Sequence, residues 1–494
     1  MRGTGHPSVR TIRPFVDGRE LPGEAGLLTI TNPATGTPIA DLEQASRGQV
    51  EAAVAAARRS FDVGTWSRAT WQSRQQLLRR VSEGLRRQAV DLAALQAAES
   101  GLPVATAKKQ VAAAAGWFDY YADFLSTVQD RSYAQLGGAT TLVMREPIGV
   151  CALFSPWNVP VGLSAIKLAP CLAAGNSAVL KPSELTPMAT RALVDLIHGC
   201  GLPDGVLNYV NGRGDSTGAA LSESEGIDMV SFTGGALGGA AVAAQAARRH
   251  LPCVMELGGK SATLVFADAD FEQALNGALT SIYANNGEAC LAGSRILVQR
   301  VVAERFMQAF CERAGAIRLG DPADVTTDMG PMVSAAHQSQ VRGFFDSAAR
   351  DGDTLLCGGP ADVGLARGFY VRPSAYLVGS AGSRLWREEV FGPVAAFHVF
   401  ETEHDAVRLA NDSRFGLVAY LWTRDLGRAM RTSGAIRAGT VLINTPMRRE
   451  VNSPFGGFKA SGVGREGGSY SWDNFTQAKA IVIQHGESPE SNRP

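Results

Sequence analysis

The chain contains no stretch of about 18 uninterrupted apolar residues and no apolar signal core near its start. It is therefore expected to neither span a membrane nor be exported. It carries no net charge: 47 Lys plus Arg balance 47 Asp plus Glu, so no overall field favours nucleic acid or an anionic membrane surface. Lysine is scarce, seven against forty arginines, a bias that reads as coding composition rather than as a binding device. The seven cysteines (151, 171, 200, 253, 290, 311, 357) are odd in number, with no Cys-x-x-Cys pair and no metal-ligand spacing. That excludes a disulfide framework and a zinc site, predicts no metal, and fits a reducing compartment, the cytoplasm. No apolar run is followed by a Gly-x-Gly-x-x-Gly fingerprint, which argues against the usual dinucleotide turn. Internal repeats are missing too, and the one low-complexity tract is the polar tail from Gly486 (486–494), expected to be disordered.

What is present begins with Cys290, in the run Gly287-Glu288-Ala289-Cys290-Leu291, and Glu256, 34 residues earlier, in Glu256-Leu257-Gly258-Gly259-Lys260. Thiolate is the reactive form of cysteine, and a carboxylate in a dry pocket activates either the thiol or a water that attacks a thioester. Glu256 ends the apolar run Cys253-Val254-Met255 and precedes a Gly-Gly turn, the strand-end position at which open α/β sheets place ligand crevices.

At 494 residues the chain is too long for one core and predicts two or three domains. Arg2, Arg10 and Arg13 without early acids imitate a transit peptide, but Phe15-Val16-Asp17-Gly18-Arg19 reads as the first strand of the domain. Residues 48 to 130 carry helical periodicity, as in Val50 to Phe61 and Trp71 to Ala89, and predict a helical layer. From 149 short apolar runs recur every 20 to 30 residues: Gly149 to Phe154, Ala178 to Leu180, Val206 to Val210, Met229 to Phe232, Cys253 to Glu256. This is a βαβ series and predicts a parallel sheet of about five strands. A second alternation follows: Ala262 to Phe266, a helix from Phe271 to Ala284, the Cys290 loop, Ile296 to Val298 and, later, Gly439 to Ile443. The glycine-rich loop Pro454 to Gly468 and a last strand, Ala480 to Gln484, close the chain.

Two glycine pairs imitate a phosphate turn: Gly212-Arg213-Gly214, and Gly234-Gly235 ahead of a helix that includes Gly238 and Gly239. Either can bring backbone N–H groups and a helix dipole to a phosphate. Lys181-Pro182-Ser183-Glu184 ends a strand of the same sheet. A carboxylate there that accepts from a ribose 2′-hydroxyl would repel a 2′-phosphate, which favours NAD over NADP.

These residues, with Phe154-Ser155-Pro156-Trp157-Asn158, Phe232-Thr233-Gly234-Gly235, Glu389-Val390-Phe391-Gly392-Pro393 and Pro454-Phe455-Gly456-Gly457, stand in one order and spacing. From about residue 13 to 483 the chain resembles the aldehyde dehydrogenase superfamily. The resemblance implies an α/β fold: a doubly wound parallel nucleotide-binding domain (1–124 and 148–258), a second α/β catalytic domain (259–469), and a small β oligomerisation arm (125–147 and 470–485) that makes a homodimer or homotetramer. It implies NAD-dependent oxidation of an aldehyde to the acid, with Cys290 as nucleophile, the Asn158 amide and the Cys290 N–H as oxyanion donors, and Glu256 activating the hydrolytic water. Trp157, Lys181, Ser183, Glu184, Gly214, Gly234, Gly235, Gly239, Glu389 and Phe391 would line or bind the cofactor. Val159, Ile166, Leu291 and Phe455 would line the substrate tunnel, and Arg448 or Arg449 stands near its mouth, where either could admit an anionic semialdehyde.

Three positions depart from the pattern. Gly235 replaces a frequent serine, Glu288 replaces the commoner glutamine before the nucleophile, and Gln477 stands where many members have glutamate near a subunit contact. A carboxylate at 288 would oppose thiol ionisation if it pointed inward. A CoA-acylating dehydrogenase, a cysteine esterase and a non-catalytic binding protein of the same fold are the rival readings; the retained Glu256 opposes the first and the intact Cys290, Glu256 and Asn158 the last.

Overall fold

A computed structural model describes residues 10–136, 138–361, 363–365 and 367–485. The expected polar tail and the arginine at position 2 lie outside the described residues. Two mainly parallel sheets organise the chain. The first has eight strands in the order Gly462–Val463, Cys253–Glu256, Met229–Thr233, Val150–Ser155, Ser177–Pro182, Leu207–Tyr209, Phe15–Val16, Arg19–Glu20. Its five inner strands, Cys253–Glu256 through Leu207–Tyr209, are mutually parallel. Val150–Ser155 and Ser177–Pro182 are buried at every residue, the reason Val150 to Phe154 and Ala178 to Leu180 read as unbroken apolar runs.

The chain winds outward from Val150–Ser155 in one direction through Ser177–Pro182 and Leu207–Tyr209, then returns to the other side with Met229–Thr233. The order therefore reverses between Val150–Ser155 and Met229–Thr233, and side chains leaving the carboxyl ends of those two strands diverge around a crevice. The residues that follow them are Pro156-Trp157-Asn158 and Gly234-Gly235.

The second sheet has seven strands, in the order Thr354–Cys357, Ser374–Leu377, Val394–Phe400, Arg295–Gln299, Ala262–Val265, Val418–Trp422, Thr440–Ile443. All neighbours are parallel except the Thr354–Cys357 edge. Four helices, Arg47–Val63, Trp71–Arg87, Ala89–Ser100 and Val104–Phe124, form the expected helical layer, and Trp117, Phe118 and Tyr121 join the core of the first sheet. A separate antiparallel sheet is built from Arg131–Gln135, Ala139–Pro147 and Thr476–Gln484.

Several elements differ from expectation. Phe15 to Arg19 is a hairpin rather than one strand, because Asp17 and Gly18 take left-handed backbone (φ 52° and 76°) and reverse the chain. It is also preceded by Arg10–Ile12, whose partner Thr37–Glu43 is remote in sequence. Residues 470 to 475, expected in the arm, lie largely in the helix Gly468–Asn474, and Trp472 and Phe475 pack in the first core. The glycine-rich loop contains Gly462–Val463, which crosses to the first sheet and pairs antiparallel with Met255 and Glu256. Gly462, at φ 155°, lets that strand approach closely: a Cβ there would sit 2.2 Å from the Met255 carbonyl oxygen.

Candidate active site

Cys290 follows a short turn in which Asn285, Asn286 and Gly287 are all left-handed (φ 56°, 58° and 73°). Such a run is costly for non-glycine residues and persists only where surroundings enforce it. Here side-chain amides do so. Asn286 donates to the Gly101 and Pro331 carbonyls (3.1 and 3.2 Å) and accepts from Gly330 N–H (2.9 Å). Asn285 donates to the Glu288 carbonyl (2.8 Å) and is itself held by Gln110 (2.7 Å). The Asn158 amide, at the carboxyl end of Val150–Ser155, donates to the same Glu288 carbonyl at 2.9 Å, which ties it to the Cys290 loop. Tyr420 Oη donates to the Leu291 carbonyl at 2.9 Å from the second sheet.

Cys290 stands where two cavities meet. The first, about 270 Å³, is lined by Cys290, Asn158, Glu256, Trp157, Glu389 and Phe391, and shares Trp157, Gly234 and Gly235 with a larger crevice of about 510 Å³ at the strand switch point. The second, about 220 Å³, is lined by Cys290, Asn158, Glu256 and the expected apolar set Val159, Ile166, Leu291 and Phe455.

The electrostatics is that of a dry site. Glu256 is buried, neither of its oxygens has a hydrogen-bond partner among the described residues, and burial, aided by the charge of Glu466, holds its carboxyl well above the ordinary range. Burial first, then Glu389 and Glu256, push the Cys290 thiol up to about 12. Glu288 takes no part in that shift. Its carboxylate accepts from Val333 N–H at 3.0 Å and lies 3.7 Å from His337 Nε2, and burial raises it well above the usual carboxylate range. The inward orientation considered from sequence is thus not adopted.

The large crevice is lined by Trp157, Lys181, Ser183, Glu184, Gly214, Gly234 and Gly235. Both glycine pairs contribute: Gly214 opens the π-helical turn Gly214–Gly218, and Gly235 caps the helix Ala236–Arg248, whose N-terminal N–H groups face the crevice. Gly239 does not line it; Gly238 does, and a Cβ at Gly239 would collide with Leu257. Lys181 Nζ lies 3.6 Å from Glu184, and burial depresses its pKa. Glu389 accepts from Gly259 N–H at 2.8 Å, and burial raises its carboxyl to about 7. Phe391, left-handed at φ 55°, is pinned by a 2.7 Å contact between its carbonyl and His337 Nε2 and by edge packing on Trp157.

A dinucleotide suits this groove: helix N–H groups for phosphate, a buried lysine beside a carboxylate at one end, and Glu389 with Trp157 at the other, next to the thiol. Over residues 22–481 the chain matches the model of the Aldehyde dehydrogenase family. The chain belongs to that family. A 5-carboxymethyl-2-hydroxymuconate semialdehyde dehydrogenase of Escherichia coli is 38% identical over 469 residues, 94% of this chain and 99% of that one. A betaine aldehyde dehydrogenase of Cereibacter sphaeroides is 39% identical over 474 residues (96% and 97%). Among solved structures, the Staphylococcus aureus betaine aldehyde dehydrogenase in complex with NAD+ superposes with TM-score 0.93 at 33% identity, covering 96% of this chain and 94% of that one. This aldehyde dehydrogenase is an oxidoreductase with an α/β architecture, and no helix among its described residues is long and apolar enough to cross a membrane.

Sequence reasoning missed several residues of the site. His337 and Gln340 line the cavity beside Glu389, and Gln110, Ala113, Ala114 and Trp117 present one face of the helix Val104–Phe124 to the tunnel. Their i, i+3, i+4, i+7 spacing was the available signal. Lys167 is wholly buried and bonds Glu466 and Ser231 Oγ, each at 2.8 Å; a lone lysine in the apolar helix Pro160–Ala174 was its clue. Arg448 and Arg449 separate: Arg448 is exposed and paired with Glu450, while Arg449 lines the tunnel.

Proposed function

We propose that this enzyme oxidises an aldehyde to the carboxylic acid, preferring NAD, through a covalent adduct on Cys290 that Glu256 helps to hydrolyse. The observation that carries the reading is the position of Cys290 at the junction of an apolar tunnel and a nucleotide-shaped crevice, with Asn158 and Glu256 lining both. NAD, when bound, supplies the hydride acceptor.

In this reading Cys290 Sγ attacks the carbonyl carbon, and its proton leaves by way of Glu256 to solvent, because the resting thiol is protonated at neutral pH. One N–H of the Asn158 amide is engaged by the Glu288 carbonyl, which fixes the plane of the amide; the other is free to donate to the oxyanion together with the Cys290 backbone N–H. These donors are neutral, so they stabilise the tetrahedral alkoxide without protonating it, and its collapse expels hydride. Glu256 then takes a proton from the water that cleaves the thioester. Its raised pKa makes it a stronger base than an exposed carboxylate.

Glu184, beside Lys181, favours NAD because a carboxylate repels a 2′-phosphate. The names of the relatives describe substrates of both charges, a carboxymethyl semialdehyde and betaine aldehyde, so the aldehyde must be read from this chain's own tunnel. We assign the first sheet and helical layer to the cofactor, the second sheet to the nucleophile loop, and the three-stranded sheet to subunit contact. Exposed Tyr133, Leu136, Met144, Ile481, Val482 and Ile483 on and beside that sheet support a dimer or tetramer. Seven free cysteines support a reducing compartment, the cytoplasm. The test is NADH formation from an aldehyde panel with NAD or NADP, with and without CoA. Acid formed without CoA supports the reading; CoA-dependent turnover, or turnover persisting in Cys290→Ala, overturns it.

A further inference from the structure

We infer that the tunnel selects an aldehyde carrying a carboxylate at its far end, and that Arg449 is the group that receives it. This deepens, and rests on, the reading of Cys290 as an aldehyde-oxidising nucleophile. Arg449 lines the same 220 Å³ cavity as Cys290. Its guanidinium carbon lies 4.1 Å from the centroid of the Phe455 ring and 5.2 Å from that of Trp117, so two aromatic side chains hold it in place. Its Nε and Nη2 are buried and make no hydrogen bond among the described residues. An arginine offers five donors in a rigid fork, and here only Nη2 approaches a carboxylate of the protein, Glu466 at 3.6 Å. A carboxylate matches that fork in geometry and in charge.

The local charge balance points the same way. Glu466 is the carboxylate nearest the fork, but its Oε2 is 3.6 Å from Nη2 and its Oε1 is committed at 2.8 Å to the buried Lys167. One carboxylate thus serves two cations. Glu256 is raised well above the carboxylate range by burial, and Arg465 adds a further positive charge to its surroundings. The tunnel wall at Arg449 is left with excess positive charge.

The same contacts exclude a cationic substrate. Faces of Trp117 and Phe455 are what a quaternary ammonium group would need, and this chain's own guanidinium occupies them. A trimethylammonium aldehyde would meet both an occupied cage and a like charge. Arg448, 68% exposed and bonded to Glu450 at 2.6 Å, has no such role.

The test compares three aldehydes of similar length in wild type, Arg449→Met and Arg449→Lys: glutaric semialdehyde, pentanal and 4-(trimethylammonio)butanal. In wild type, kcat/KM should rank the semialdehyde first and the ammonium aldehyde last. In Arg449→Met the ratio of kcat/KM for semialdehyde over pentanal should fall about 10- to 100-fold, the range of one charge-assisted hydrogen-bonded contact, chiefly through KM. Arg449→Lys should retain part of the preference. Equal losses on both substrates would show that Arg449 acts only on Cys290 or Glu256 and would overturn the inference, as would a wild-type preference for the ammonium aldehyde. Should Arg449→Met be insoluble, wild type still decides: pentanoate should compete with pentanal for the enzyme more strongly than pentylamine, and the reverse order overturns the inference. No NADH from any of the three, nor from a wider panel, would instead overturn the enzymatic reading itself.

Discussion

The triad of buried Lys167 and Glu466 with half-buried Arg449 makes an ordering of mutational costs that follows from its distances. Lys167 and Glu466 are 0% and 6% exposed and 2.8 Å apart, while Arg449 reaches the other Glu466 oxygen at 3.6 Å. At an effective dielectric of about 20, unit charges at those separations attract by about 6 and about 5 kcal/mol before desolvation is subtracted. Glu466→Gln removes both attractions and leaves two cations facing each other, so it should destabilise by about 3–5 kcal/mol, the cost of breaking a buried pair. Lys167→Met removes one attraction and leaves Glu466 with Arg449, and should cost less, about 1–3 kcal/mol. The double variant should cost clearly less than the sum, because neither residue is then stranded by loss of the other. Urea unfolding followed by circular dichroism, at one protein concentration because subunit association adds to stability, measures all four corners of the cycle. Additive costs, or a Lys167→Met variant less stable than Glu466→Gln, would refute the reasoning.

Other outcomes follow from single contacts. Because the charge of Glu466 raises the Glu256 carboxyl, Glu466→Gln should move the acidic limb of the kcat–pH profile to lower pH if deacylation limits turnover; an unmoved limb would separate the two groups. Glu389 is the largest charge raising the Cys290 thiol, and its own carboxyl is raised to about 7, so it opposes thiolate formation only above that pH. Glu389→Gln lowers the thiol pKa, and iodoacetamide should label Cys290 about three- to tenfold faster near pH 8.5 but at the wild-type rate near pH 6. A Cβ at Gly235 meets open space, whereas one at Gly258 would overlap the Glu389 carboxylate. Gly235→Ser should therefore fold normally and lower KM for NAD, and Gly258→Ala should raise it, as initial-rate kinetics would record.

The parts of the molecule legible in sequence were those fixed by local rules. The inner strands of the first sheet are buried on both faces, so Val150–Ser155 and Met229–Thr233 appear as apolar runs, with Pro156 after the first and Gly234 after the second. Cys290, Glu256 and Asn158 were legible because each sits in a glycine- or proline-flanked motif at a strand end or turn. What escaped was set by contacts remote in sequence. Gly462–Val463 is a two-residue strand with no pattern of its own, defined by pairing with Met255 and Glu256. Arg131–Gln135 is exposed at every residue and shows no buried face to alternate with. Lys167 and Glu466 meet across 299 positions, and Gly239, grouped in sequence with the crevice glycines, turned out to serve the packing of Leu257. The choice between Arg448 and Arg449 depended on which way each side chain left the loop, and adjacent residues can differ in that without any trace in the sequence.

The measurement closest to the central claim is single-turnover kinetics of Glu256→Gln with NAD and a good aldehyde, followed by mass analysis of the quenched protein. A thioester on Cys290 that only Glu256-assisted water releases predicts a burst of about one NADH per active site, then a stall, with the acyl mass on the peptide containing Cys290. Steady turnover at the wild-type rate, or a burst with no mass on Cys290, would contradict the account.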